Sequence, residues 1–305
     1  MKVDVVFQGG GVKAIAFAGG IQALEEKGYT FNKVAGTSAG AITAALLCAG
    51  YSGKELREIM INMDYRKFLR NSVYGDIPLV GNAMELIRSK GFYDGRAIEE
   101  WVYKLLKKKG IIKFKDLGMY EGRTLKIIAA DVTKRNIVII PDDLKKYGIE
   151  PSEFEIAKAV RMSSSIPFFF KPVKIKYNNN ISYIVDGGII SNFPIWIFDV
   201  RDTPMWPTFG FKLKTNTNKN MNSHGKDLFS YFIDVVETMI DRNEEEYLPD
   251  RNAVRTITIN TAGVRTTEFN ISRKKCIKLC ESGFNSTNEF LNSWSFHDYI
   301  SKYRV

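Results

Sequence analysis

The sequence predicts an α/β protein in which a parallel sheet carries helices on both faces, and three observations lead there. The first fifty residues alternate short β-rich apolar runs with stretches of helical spacing. Glycines mark the points where the period changes, at Gly9-Gly10-Gly11 and at Gly36-Thr37-Ser38-Ala39-Gly40. The composition is that of an ordinary globular chain, with 45% hydrophobic, 26% charged and 12% aromatic residues over 305 positions, a length that one α/β domain often uses. Wholesale disorder, collagen and coiled coil are thereby excluded.

Residues 3–7 form the first apolar run and end in the triple glycine; 12–27 carry helical spacing up to the Gly28 stop. Residues 33–36 repeat the strand, and 39–49 form a small-residue helix closed by Gly50. A further helix is expected at 54–62. Between 68 and 92, Gly75, Pro78, Gly81 and Gly91 interrupt mixed apolar and polar residues, the pattern of an irregular excursion or an apolar lid. Residues 95–109 read as an amphipathic helix whose lysine-rich end suits the helix dipole. Strands are expected at 124–130 and 136–140, a helix at 153–161, and a strand at 181–185 that runs into Asp186-Gly187-Gly188. Strands at 208–213 and 254–259 flank a helix at 228–242, the Asn-rich stretch 215–225 is a loop, and 273–291 form a last helix. Residues 1–200 hold every motif; 201–305 are expected to pack on the same domain.

A net charge of +10 favours an anionic partner surface, nucleic acid or acidic lipid. Cys48, Cys276 and Cys280 form no even-numbered framework and no zinc pattern, so free buried thiols in a reducing, cytoplasmic compartment are expected. No run approaches the ~18 apolar residues of a membrane span, and Asp4 and the glycine turn break the stretch an export signal would need.

Gly36-Thr37-Ser38-Ala39-Gly40 matches G-x-S-x-G where a strand meets a helix, the setting of a nucleophile elbow. The crowded turn demands the flanking glycines, and the helix N-terminus favours negative charge developing beside the serine. A plain helix cap by Thr37 or Ser38 is the competing reading. Gly9-Gly10-Gly11 ends the first strand at the same sheet edge, leaving N–H groups unshielded for a phosphate or an oxyanion. The run also satisfies G-x-G-x-x-A, but the second strand ends in Gly36-Thr37-Ser38 instead of the acidic ribose anchor, and no P-loop pattern is present. Nucleotide binding is disfavoured.

A serine nucleophile needs a base, and His224 and His297 both lie outside any strand-end turn. The order Ser38, Asp186, His297 fits an α/β-hydrolase triad, yet a single strand precedes the one that delivers Ser38, too few for such an elbow. Asp186, at the end of an apolar strand and followed by two glycines, is the better candidate, with an ordinary Asp-Gly turn as the alternative. The ordinary pKa of aspartate, ~3.9, lies below that of histidine, ~6.5, a deficit of about 3.5 kcal/mol in proton affinity. Burial of the carboxylate is expected to offset it.

Together these elements resemble the patatin-like phospholipase family. Ala130-Asp131-Val132-Thr133, Ser163-Ser164-Ser165-Ile166-Pro167 with Lys171-Pro172-Val173, and the run from Asp186-Gly187-Gly188 to Asn192-Phe193-Pro194 are similar to further segments of it. The resemblance implies a three-layer α/β/α fold with a mostly parallel central sheet and a patatin-like catalytic core over residues 1–200. It implies Ser38 as nucleophile, Asp186 as base and Gly9, Gly10 and Gly11 as oxyanion hole, supported by Lys13, Gly36, Gly40, Gly187 and Gly188. The implied substrates are acyl esters of phospholipids or related lipids, with neither metal nor organic cofactor. Lys13-Ala14 departs from the family's basic residue followed by glycine. Lysines 104, 107, 108, 109, 113 and 115 suggest peripheral contact with an anionic membrane. The competing class is a non-catalytic basic module that binds lipid or nucleic acid, its serine turn structural. Binding alone requires none of the serine, aspartate and glycine constellation, and no nucleic-acid-binding signature is present.

Overall fold

In the computed structural model the described residues are 1–69, 90–119, 124–214, 250–261 and 263–303, with the single positions 231, 234, 235 and 238. Most of the expected 68–92 excursion, the 215–225 loop with His224, and all but four positions of the 228–242 helix lie outside them.

The strands are β1 (Lys2–Phe7), β2 (Thr30–Thr37), β3 (Gly91–Tyr93), β4 (Thr124–Asp131), β5 (Asn136–Ile140), β6 (Phe168–Phe170), β7 (Val173–Tyr177), β8 (Asn180–Asp186), β9 (Thr208–Lys214) and β10 (Thr256–Asn260). The helices are α1 (Ala16–Glu26), α2 (Ala39–Cys48), α3 (Gly53–Asn62), α4 (Arg96–Lys108), α5 (Ile156–Ser163), α6 (Arg273–Ser293) and α7 (Phe296–Tyr303), with one helical turn at Asp250–Ala253. One sheet runs β10-β9-β1-β2-β4-β8-β7, with β5 also on β4; β3 and β6 pair separately. From β10 to β4 the strands are parallel, whereas β5 and β8 each pair antiparallel with β4 and β7 pairs antiparallel with β8. This is a mostly parallel sheet flanked by helices, the α/β fold expected.

Alternation along the strands decides which side chains meet the helices. Val3, Val5 and Phe7 join one apolar core with residues of α1 to α6, while Val6 and Ala35, on the opposite face, pack against Phe198. Phe7 stacks on Phe211 at 5.1 Å. Each such fully buried apolar side chain contributes about 1.5–3 kcal/mol relative to exposure. α1 and α6 cross at contact distance: a Cβ on Gly19 would strike the Cys280 carbonyl, and one on Gly283 the Ala16 carbonyl. β9 and β10 therefore extend the sheet and α6 packs on the same core.

Several boundaries move for local reasons. The expected 12–27 helix begins as a 3-10 turn over Gly11–Ile15, because Gly11 sits at φ 53° and the Val12 N–H is drawn to the Thr266 carbonyl (3.1 Å). The 153–161 helix starts at Ile156, since Pro151–Glu153 form their own 3-10 turn. Beyond the expected strands, β3 and β6 are three residues each, too short to carry a period, and pair with each other from far apart in sequence, whereas β7 alternates as VKIKY and forms a hairpin with β8. All three cysteines are buried free thiols. Of the six lysines expected on a membrane face, Lys109 pairs with Glu55 (2.8 Å), and Lys113 and Lys115 both pair with Glu153 (2.9 and 2.7 Å). No described helix is long and apolar enough to cross a membrane.

Candidate active site

Two strand ends meet head-on to make the site. β5 occupies one edge of β4 from Ile127 to Asp131, so β2, which reaches Ile128, and β8, which starts its pairing at Ala129, share the other edge. They run in opposite directions. Thr37 pairs with Ile128 and Asp186 with Ala129, consecutive residues of β4, so both C-terminal ends stop at the same point. The sequence suggested that parallel strand ends gather on one edge; that holds for β1 and β2, whereas Asp186 arrives on an antiparallel strand.

Ser38 follows β2 at φ 54°, ψ −124°, a positive-φ conformation that costs about 1–3 kcal/mol for a non-glycine residue and needs external support. The glycines on either side allow the turn: a Cβ on Gly36 would strike the Gly40 carbonyl, and one on Gly40 the Phe7 carbonyl. The Ser38 N–H donates to Ser163 Oγ (2.8 Å), and that hydroxyl donates to the Ile128 carbonyl (2.5 Å). Ser38 Oγ makes no capping bond to α2 and donates instead to Asp186 Oδ2 at 2.5 Å. The helix-cap reading of this serine fails on that geometry.

Asp186 is completely buried. Its Oδ1 accepts the Gly188 N–H (2.8 Å), and its own N–H donates to the Ser165 carbonyl (2.9 Å). Gly187 lies against the Ile128 carbonyl. Burial raises the Asp186 carboxyl from its ordinary 3.8 to about 7, against the lowering effect of the bonds from Ser38 and Gly188. A buried carboxylate thus reaches the proton affinity usual for an imidazole.

The glycine turn lies beside Ser38: a Cβ built on Gly9 would come within 3.1 Å of Ser38 Cβ. The Gly9 N–H, however, donates to the Asn192 carbonyl (3.0 Å), and Asn192 Nδ2 donates back to Gly9 O (3.3 Å). Gly9 therefore drops out of the expected oxyanion donors and acts as a brace. Among the described residues no hydrogen bond engages the N–H of Gly10 or Gly11. Buried Lys13 closes the turn by donating its backbone N–H to Gly10 O (3.2 Å).

Ser38 opens on an apolar cavity whose walls include Ile42, Tyr65, Phe68, Ile98, Ile166 and Phe170. His297 lies outside it, its side chain 93% exposed on α7, and can be no partner of the buried Asp186. In the sequence Ser163 and Asn192 stand only as members of motifs, and their bracing roles arise from contacts across the fold. The run Ser163-Ser164-Ser165 was a signal for the first of them.

Fold and strand-to-helix serine turn together define the class, an α/β protein with a mostly parallel central sheet and a serine presented where a strand meets a helix. The sequence profile of the patatin-like phospholipase family matches residues 5–199, and the chain belongs to that family. It is 38% identical over 297 residues to the uncharacterised protein YqhO of Bacillus subtilis (strain 168), covering 97% of this chain and 100% of YqhO. It is 28% identical over 196 residues to the probable lipid hydrolase 463L of Invertebrate iridescent virus 6, covering 63% of this chain and 61% of that one. Among solved structures, VipD from Legionella pneumophila shares the fold at a TM-score of 0.60 and 19% identity, covering 95% of this chain. ExoU from Pseudomonas aeruginosa does so at 0.54 and 18%, again over 95% of this chain. The chain spans 66% of the VipD chain and 53% of the ExoU chain. Family membership makes hydrolysis the general activity.

Proposed function

We propose that the protein is a serine lipid acyl hydrolase of the phospholipase A or lysophospholipase type, with Ser38 as nucleophile and Asp186 as base. The observation that carries this reading is the 2.5 Å hydrogen bond from Ser38 Oγ to the fully buried Asp186. With an ester carbonyl over Ser38, Oγ attacks the carbonyl carbon while its proton passes to Asp186 Oδ2. The oxyanion is held by the Gly10 and Gly11 N–H groups and the N-terminus of α2, each such donor being worth ~10²–10³ in rate. Collapse expels the alcohol, which takes the proton from Asp186, and water then releases the acyl group with Asp186 again as base. The apolar cavity suits the acyl chain, and the virus relative described as a probable lipid hydrolase agrees with a lipid substrate.

Ser38→Ala should abolish both ester turnover and labelling by a fluorophosphonate probe while the far-UV circular dichroism is retained. Undiminished hydrolysis of a short-chain ester would overturn the assignment. Exposed Lys104, Lys107 and Lys108 on α4 provide a contact for anionic lipid headgroups. Binding to vesicles should then strengthen with anionic lipid content and weaken with added salt; equal binding to neutral and anionic vesicles would remove this part.

A further inference from the structure

The family match ends at residue 199, yet a segment far beyond it, residues 264–271, touches both halves of the site. Its buried Thr266 offers a carbonyl that accepts the Val12 N–H (3.1 Å), and that carbonyl lies so close to Gly11 that any Cβ there would strike it. Three residues on, Phe269 lines the same cavity as Gly11 and Ser38. The residue is 8% exposed, its ring stacked on Phe169 (5.4 Å, 14° between planes) and edge-on to Phe170 (6.4 Å, 87°). Local turns shape the segment, Val264 N–H donating to the Thr261 carbonyl (3.0 Å) and Ile271 N–H to the Glu268 carbonyl (3.1 Å), while the Thr266 carbonyl ties it to the glycine turn. Phe269 is thus a fixed wall held by two other rings.

The cavity is narrow. At about 60 Å³ it is small beside the ~300–1,000 Å³ of typical ligand pockets, so a chain entering it meets every wall. An apolar wall of fixed position discriminates by length and bulk, because each methylene that fits is favourable and each one that collides is not.

We infer that residues 264–271 complete the acyl site, Thr266 as brace of the oxyanion turn and Phe269 as the residue that sets the acyl-chain length accepted. The inference rests on the acyl-hydrolase reading and adds to it a specificity element from outside the matched region. Removing the ring should lengthen the preferred chain, and enlarging it should shorten the preference. Neither effect is expected from a merely structural phenylalanine, whose loss would lower stability and all rates alike.

The test compares kcat/KM on p-nitrophenyl butanoate and dodecanoate for the parent, Phe269→Ala, Phe269→Leu and Phe269→Trp, with fluorophosphonate labelling of Ser38 followed in each. In Phe269→Ala the dodecanoate-to-butanoate ratio should rise by about tenfold or more, and in Phe269→Trp it should fall. Should the alanine variant not fold, Phe269→Leu decides by the same rise on a smaller scale. An unchanged ratio in a variant whose Ser38 still labels overturns the inference and leaves the hydrolase reading intact. A parent protein that neither labels at Ser38 nor turns over either ester overturns the hydrolase reading instead.

Discussion

Asp186 and Asp131 end neighbouring strands, are equally and completely buried, and each accept a hydrogen bond from a hydroxyl, yet their surroundings direct them to different work. Asp131 takes the Thr133 and Lys134 N–H groups on Oδ1 (2.9 and 3.1 Å) and the Tyr147 phenol on Oδ2 (2.9 Å). Burial and the Asp131 charge push the Tyr147 phenol well above its ordinary range, so its proton stays in place. The Lys134 ammonium lies 4.1 Å from the centre of the same ring, and the whole group ties the β4–β5 turn to the 3-10 turn that holds Tyr147. Asp186 has one backbone donor and one serine, its carboxyl raised to about 7, and that serine sits on a strained turn facing an apolar cavity. A buried carboxylate–hydroxyl pair becomes reactive when the carboxylate is under-solvated and the hydroxyl opens on space for a substrate.

The sharpest way to break this comparison is to neutralise each carboxylate in turn. Asp186→Asn should lower kcat by roughly 10³–10⁴ with the fold kept, since the amide can still bond but cannot take the serine proton. Asp131→Asn should leave kcat within a few-fold and cost about 1–3 kcal/mol of stability, through mismatched buried donors. The double change His224→Ala with His297→Ala should behave like the parent in kcat. Equal losses of kcat from the two asparagine variants would erase the distinction.

A smaller effect lies in the pH dependence. Asp186 must be ionised to act as base, so kcat/KM should climb with an apparent pKa near 7 and level off above it. Stability should move the other way. Because the folded-state value is above the ordinary 3.8, the folded protein holds this proton more tightly than the unfolded chain does. That stabilisation is complete below about pH 4 and is lost as the pH rises through about 7. Asp186→Asn carries no such titration, so its unfolding free energy should gain on that of the parent between acid and mildly alkaline pH. The gain should be on the order of 4 kcal/mol by denaturant titration. A difference that does not vary with pH would mean that the folded protein does not hold the carboxylate in its under-solvated form.

The elements that sequence makes readable here are those whose constraint is local. The strand-to-helix turn at Ser38 declares itself because two close carbonyls tolerate only glycine at positions 36 and 40. The apolar run into Asp186-Gly187-Gly188 shows an acid at a strand end, and its burial follows from the run itself. Short β3 and β6 escape, since a three-residue strand has no period to detect and its stability comes wholly from its partner.

What the linear order left open is every relation carried by a distant contact. G-x-S-x-G pointed to Ser38 as the proposed nucleophile and D-G-G to Asp186 as the proposed base, but that β8 runs antiparallel and stops one residue of β4 beyond β2 depends on register across a shared strand. The same is true of Gly9. As a glycine in a turn it looked like an oxyanion donor, and only the arrival of Asn192 shows its N–H already spent. Ser163 and the Thr266 carbonyl brace the serine and glycine turns from 125 residues and more than 250 residues away along the chain. Backbone conformation and apolar period are short-range properties that a sequence writes residue by residue, whereas hydrogen-bond partners and the burial that sets a pKa belong to packing between segments and exist once the chain has closed on itself.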